Sequence, residues 1–159
     1  MSRVEIMMEM KKKIEENPSL AISEWQGICK YVVGELVSLE VKDLQEMNFK
    51  GLLKPGEERV MPVELMVAAA ASSFGVIFHM EAFNQGITVD SAEVVFYGTV
   101  NKAEYLGIKE GNSGITKPMI TLKVHSSAYK GKVAEVAAIA AERSPILSSL
   151  NERVKLHII

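Results

Sequence analysis

Pro62-Val63-Glu64-Leu65-Met66-Val67-Ala68-Ala69-Ala70-Ala71-Ser72-Ser73-Phe74 is the stretch on which the fold turns. Pro62 suits the first turn of a helix, where its missing N–H costs nothing, and Glu64 complements the positive end of the helix dipole. The pattern continues to Asn84, where Asn84-Gln85-Gly86 supplies a left-handed stop. Such a helix is roughly 30 Å long. It is apolar almost all round, so it is expected to be buried on every side, in a core or between subunits. Ala68, Ala69, Ala70, Ala71 and Gly75 leave room for a second helix to approach closely. Residues 65–80 contain Ser72, Ser73, Gly75 and His79 and are bounded by Glu64 and Glu81. A bilayer span asks for about 20 mostly apolar residues, so the reading is a buried helix and no membrane partner.

Working outward, residues 3–16 place Val4, Met7, Met8 and Ile14 among charges, an amphipathic helix that Asn17-Pro18 terminates. Residues 20–26 and 28–41 have strand character, and Gly27 suits a turn between them. Residues 51–59 read as a loop around Pro55-Gly56. Downstream of the long helix, residues 87–100 and 118–127 are strands. Ile120, Leu122 and Val124 alternate with Thr121, Lys123 and His125 to give one buried and one wet face. Residues 107–114 form a polar, glycine-rich excursion. Residues 132–143 form a second alanine-rich helix carrying Val133, Val136, Ala137 and Ala140 on one stripe. Pro145 ends it, and Ser144 is placed to cap a short helix over residues 145–150. Val154, Leu156 and Ile158 alternate with charged neighbours in a last strand. With no repeat, low-complexity tract or linker, residues 1–159 read as a single α+β domain, and residues 1–18 as an added N-terminal helix.

Composition narrows the chemistry. Nearly half of the 159 residues are apolar and the formal charge is −2, so no global field invites nucleic acid or an anionic surface. Lys11-Lys12-Lys13 is followed at once by Glu15-Glu16 and reads as a solvated helix face. The charged N-terminal residues lack the apolar segment of a secretory signal. The single cysteine, Cys29, excludes an internal disulfide and thiolate-rich zinc sites, and a cytoplasmic location is expected. His79, His125 and His157 fall on three separate elements with no ligand-spaced neighbour, so neither a metal nor a cofactor is expected.

Two segments together carry a resemblance. Residues 62–74 resemble the first active-site helix of OsmC/Ohr-type proteins, the osmotically inducible and organic-hydroperoxide-resistance thiol peroxidases. Ala140-Ala141-Glu142-Arg143-Ser144-Pro145-Ile146 resembles their second site, where Cys-Pro follows a helix. The resemblance covers the chain from about Leu20 onward in matching element order. It implies an OsmC-like fold, with antiparallel sheets packed around two central alanine-rich helices, in an intertwined homodimer whose sites form at the interface. It implies that the cysteine corresponding to Ser73 attacks the peroxide and that the one corresponding to Ser144 closes a disulfide. This chain has serine at both positions.

The remaining parts of that chemistry are also displaced. The resemblance implies a glutamate near the start of the long helix, more often at the position of Val63 than of Glu64. It also implies an arginine from the N-terminal strand region, where this chain has none. Arginine occurs only at Arg3, Arg59, Arg143 and Arg153, of which Arg59 precedes the long helix. A serine hydroxyl lacks a thiol's acidity and sulfur's oxidation ladder and forms no disulfide. Serine hydrolysis would need a positioned base and an oxyanion hole, yet no Gly-x-Ser-x-Gly elbow exists. His79 lies two turns beyond Ser72, about 10 Å along the axis. Ser72 and Ser73 are therefore expected to bond to the preceding helix turn. The expectation is an OsmC-like protein without thiol peroxidase activity that binds a small apolar or lipid-like molecule near Glu64, Ser73, Ser144 and Arg59. The alternatives are residual peroxidase activity through Cys29, serine-based hydrolysis, or a purely structural or protein-interaction role.

Overall fold

A computed structural model of the chain describes residues 3–32, 38–40 and 62–159. The amphipathic N-terminal segment forms α1 (Arg3–Glu16). It stops where expected: Asn17 accepts a hydrogen bond from the Ser19 backbone N–H at 3.2 Å and opens a short 3-10 turn, Pro18–Ala21. The chain then runs through β1 (Ile22–Val32) and β2 (Ser38–Glu40). After these come the long helix α2 (Pro62–Asn84), β3 (Ser91–Asn101), a single turn α3 (Lys102–Tyr105) and β4 (Thr116–His125). The last elements are α4 (Lys130–Arg143), α5 (Pro145–Ser148) and β5 (Lys155–Ile158). Residues 51–59, read from sequence as a loop, lie outside the described residues.

The α+β class holds, and among the described residues the strands form one five-stranded sheet ordered β2-β1-β3-β4-β5. Antiparallel pairing, expected throughout, holds for three of the four strand pairs; β4 and β5 run parallel. The reason is connectivity. Parallel neighbours need a crossover of a dozen or more residues, and α4 with α5 supplies one.

Gly27 corrects the sequence reading most clearly. It makes no turn: β1 runs straight through it, with Gly27 opposite Phe96 of β3. A Cβ at this position would lie 2.5 Å from the Val67 carbonyl carbon and the Ala68 nitrogen. The glycine is there because the backbone of α2 rests directly on β1. The β3 strand also starts later than its hydrophobicity suggests. Gly86, at φ +68°, closes α2 with bonds from its own N–H to Phe83 O (3.0 Å) and from Ile87 N–H to Ala82 O (2.8 Å). That Schellman motif takes Ile87, the first residue of the expected strand, into the helix stop, and β3 begins only at Ser91. The four-residue α3 turn is too short to leave a periodicity in the sequence.

One face of α2 meets β1 and β3, and α4 packs beside it. Phe74 and Phe78 stack with ring centres 6.1 Å apart, against Val94 and Phe96 of β3, Ile120 and Leu122 of β4, and Val136, Ala137 and Ala140 of α4. Alanines on both helices permit this closeness, since every extra methylene would push the backbones apart. On β4 the expected alternation holds at Ile120 and Leu122, buried, and at Lys123 and His125, exposed. Thr121, assigned to the wet face, is buried.

Candidate functional site

Pro145 disfavours helical backbone at the residue before it, so α4 ends and the chain breaks at Ser144 (φ −70°, ψ 117°). Pro145 then restarts α5, and the Ser144 hydroxyl accepts the Leu147 N–H at 3.5 Å, the cap read from sequence. This break presses Ser144 against α2, where it is fully buried. There its Oγ lies 2.8 Å from Ser73 Oγ on the middle of the long helix. The two serines, 71 residues apart in sequence, form one hydroxyl pair. Ser73 therefore bonds across to the break between α4 and α5 rather than back along its own helix. Among the described residues, the two hydroxyls bond only to each other and to the Leu147 amide.

The other sequence-predicted residues are not drawn to this pair. Glu64 precedes Ser73 by nine residues, which is two and a half turns, so it lies about 13 Å away along α2 and on the opposite side. Arg59 lies outside the described residues. Cys29 sits within β1, its backbone opposite Val94 and Leu39. His79, His125 and His157 are exposed, and no group of three or more metal-ligating side chains exists among the described residues.

A charged pair that sequence reasoning missed lies on the same two helices. Arg143 Nη1 donates to Glu81 Oε1, beside the hydroxyl pair in sequence on α4 and two turns beyond it on α2. Glu81 is nearly buried while the guanidinium is largely exposed. The signal was present in outline: Arg143 adjoins Ser144, and it ends α4, where a cation favours the helix dipole. Its partner could be named only once α2 and α4 were seen side by side.

A cleft of about 430 Å³ opens at the N-terminal end of α2. Val63, Met66, Val100, Ile115 and Leu150 give it apolar walls, and Lys102 also lines it. Ser73, Ser144 and Glu64 do not. The room for a ligand is thus offset from the serine pair, which is packed shut at Ser144.

A domain with two alanine-rich helices on a mixed sheet, and a Ser-Pro break against the longer helix, defines the class. The chain belongs to the OsmC-like protein family, whose pattern matches residues 55–158. Solved structures with the same fold include an OsmC-like protein from Mycoplasma pneumoniae. That match has 14% identity and a TM-score of 0.55, over 65% of this chain and 72% of that one. An OsmC-like protein of unknown function from Vibrio cholerae is 25% identical with a TM-score of 0.55, over 64% of this chain and 65% of that one. An OsmC-like hydroperoxide resistance protein from a Jannaschia species has 14% identity and a TM-score of 0.56, over 83% of this chain and 88% of that one. Among functionally curated proteins, none matches the sequence.

Proposed function

We propose that this protein is an OsmC-like protein that does not reduce hydroperoxides, and that it works in the cytoplasm as a homodimer binding a small apolar molecule. The observation that carries the reading is the hydroxyl pair, Ser73 Oγ to Ser144 Oγ at 2.8 Å. Two sulfurs in these places would need little movement to close a disulfide, whose bond length is about 2.05 Å. Two hydroxyls make a hydrogen bond and go no further. Neither ionises near neutral pH as a thiol does, and neither has an oxidation ladder to climb.

The homodimer is supported by the outer side of α2. Met66, Ala69, Ser73, Val76, Met80 and Phe83 recur at alternating spacings of three and four, the seam of helices that pack on one another. Met66, Val76, Met80 and Phe83 are all exposed on the protomer. A second copy of α2 is the natural cover for this stripe, with Ser73 inside it.

Assayed with cumene hydroperoxide and a dithiol, the purified chain is expected to consume peroxide no faster than the reductant alone. Turnover that disappears in Cys29→Ser would overturn the reading. In a Cys29→Ser background, the double variant Ser73→Cys/Ser144→Cys is expected to lose both free thiols on mild oxidation. Two thiols that stay titratable would mean the hydroxyl pair is not the vestige of a disulfide site. Light scattering should give twice the chain mass.

A further inference from the structure

We infer that the cleft at the N-terminal end of α2 is a binding site for a single-chain amphiphile bearing one carboxylate, with Lys102 holding the head group. The inference rests on the reading of the protein as an apolar-ligand binder and names the class of ligand.

Size and wall chemistry come first. A volume of about 430 Å³ falls among small-molecule sites, and Val63, Met66, Val100, Ile115 and Leu150 make the walls apolar. Such walls favour a hydrocarbon chain, whose burial removes apolar surface from water on both sides. They also make any charge in the cleft costly unless it is paired.

Among the described residues of the lining, Lys102 is the single one that carries a charge. It is half-buried, and among the described residues its ammonium has no hydrogen bond or ion pair. Lysine usually lets its head reach water or a partner. One held beside apolar walls without a partner is matched by an anion brought in by the ligand. The number of charges then selects the head group. One lysine, with the neutral groups of Ser113 and Asn151 on the same lining, balances a monoanion. A dianionic phosphate would leave net negative charge in an apolar site.

The wall near the head group is formed in advance. Asn112 Oδ1 accepts the Gly114 N–H at 2.9 Å, which sets the bend carrying Ser113 and Ile115. The Thr99 and Thr116 hydroxyls bond each other at 2.8 Å just behind it. A site shaped before binding loses less entropy when the ligand enters.

The test is calorimetric titration of the full-length protein with dodecanoate and with dodecanol, both below their aggregation concentrations. Dodecanoate is expected to bind more tightly than dodecanol. Lys102→Met should weaken dodecanoate about ten-fold, the size of one lost charge-assisted contact, and leave dodecanol unchanged. Ser113→Trp, at an exposed wall position that tolerates bulk, should abolish binding of both. Equal binding of the two ligands, or no effect of Lys102→Met, would overturn the carboxylate assignment and leave apolar-ligand binding standing. If neither ligand binds, the cleft is not a ligand site and the apolar-ligand reading falls with it. The absence of peroxidase activity is decided separately by the hydroperoxide assay.

Discussion

The two sides of α2 are built from the same kinds of residue and have opposite fates. On the inner side Phe74, Phe78, Val67 and Ala71 are shut into the core by β3, β4 and α4. On the outer side Met66, Val76, Met80 and Phe83 remain exposed on the protomer. Sequence hydrophobicity does not distinguish the sides, because the helix is apolar all round. What separates them is that one sheet and one neighbouring helix can cover only part of a cylinder. The surplus apolar surface is the part that we propose a second copy covers. Ser73 sits between the two regimes: it is half-buried, in the outer stripe, and tied inward to Ser144.

A matched pair of truncations tests that contrast. Phe78 is 1% exposed and stacked on Phe74, so Phe78→Ala should cost about 3–5 kcal/mol, read as a lower midpoint in chemical denaturation. A loss below that range would mean the inner side is loosely packed and the contrast is false. Gly27→Ala probes the same side from beneath. A methyl 2.5 Å from the α2 backbone must push the helix off β1, at a cost of about 1–3 kcal/mol by the same measurement. Were Gly27 instead a turn residue, its replacement would act on strand pairing and leave the helix contact intact.

Phe83 is 78% exposed on the outer side of the same helix. Phe83→Ala should leave protomer stability within about 0.5 kcal/mol. It should raise the dimer dissociation constant about ten-fold, read by sedimentation over a dilution series. An unchanged association would show that the outer stripe is not the contact between copies.

These residues also show what can be read from sequence. Local chemistry was legible: the stop after Asn84, the Ser144 cap and the alanine-rich faces of α2 and α4 each depend on residues within a turn or two. Gly27 was misread because a glycine between apolar runs signals a turn, while its actual cause lies 40 residues away in the α2 backbone. Ile87 reads from sequence as the start of the β3 strand, but the helix stop claims it. Of the site, Ser73 and Ser144 could be paired only through resemblance to a family, since no rule of spacing joins residues 71 apart. Glu81 with Arg143, and the cleft walled by several separate elements, needed the fold itself.

The smallest expected effect lies on the exposed face of the sheet, where polarity rather than packing holds neighbours together. Glu93 stands opposite Lys30 of β1 and Lys123 of β4, with its carboxylate 3.8 Å and 2.9 Å from the two ammonium groups. The hydrogen bond from Lys123 holds the Glu93 carboxyl below the usual glutamate range, and the same bond raises Lys123. A depressed carboxyl stabilises the fold above its unfolded pKa, about 4.3, and that contribution fades as pH falls through the lower folded value. A raised lysine stabilises below its unfolded pKa, about 10.4, and loses that contribution as pH rises through the higher folded value. The difference in thermal midpoint between the parent and Glu93→Gln should thus be flat from about pH 5 to 10 and close toward zero on the acid side. It should be small throughout, because exposed pairs are screened, and smaller still in high salt. A difference that persists undiminished at acid pH would mean Glu93 acts through packing, which would make this face of the sheet more like the inner side of α2 than its opposite.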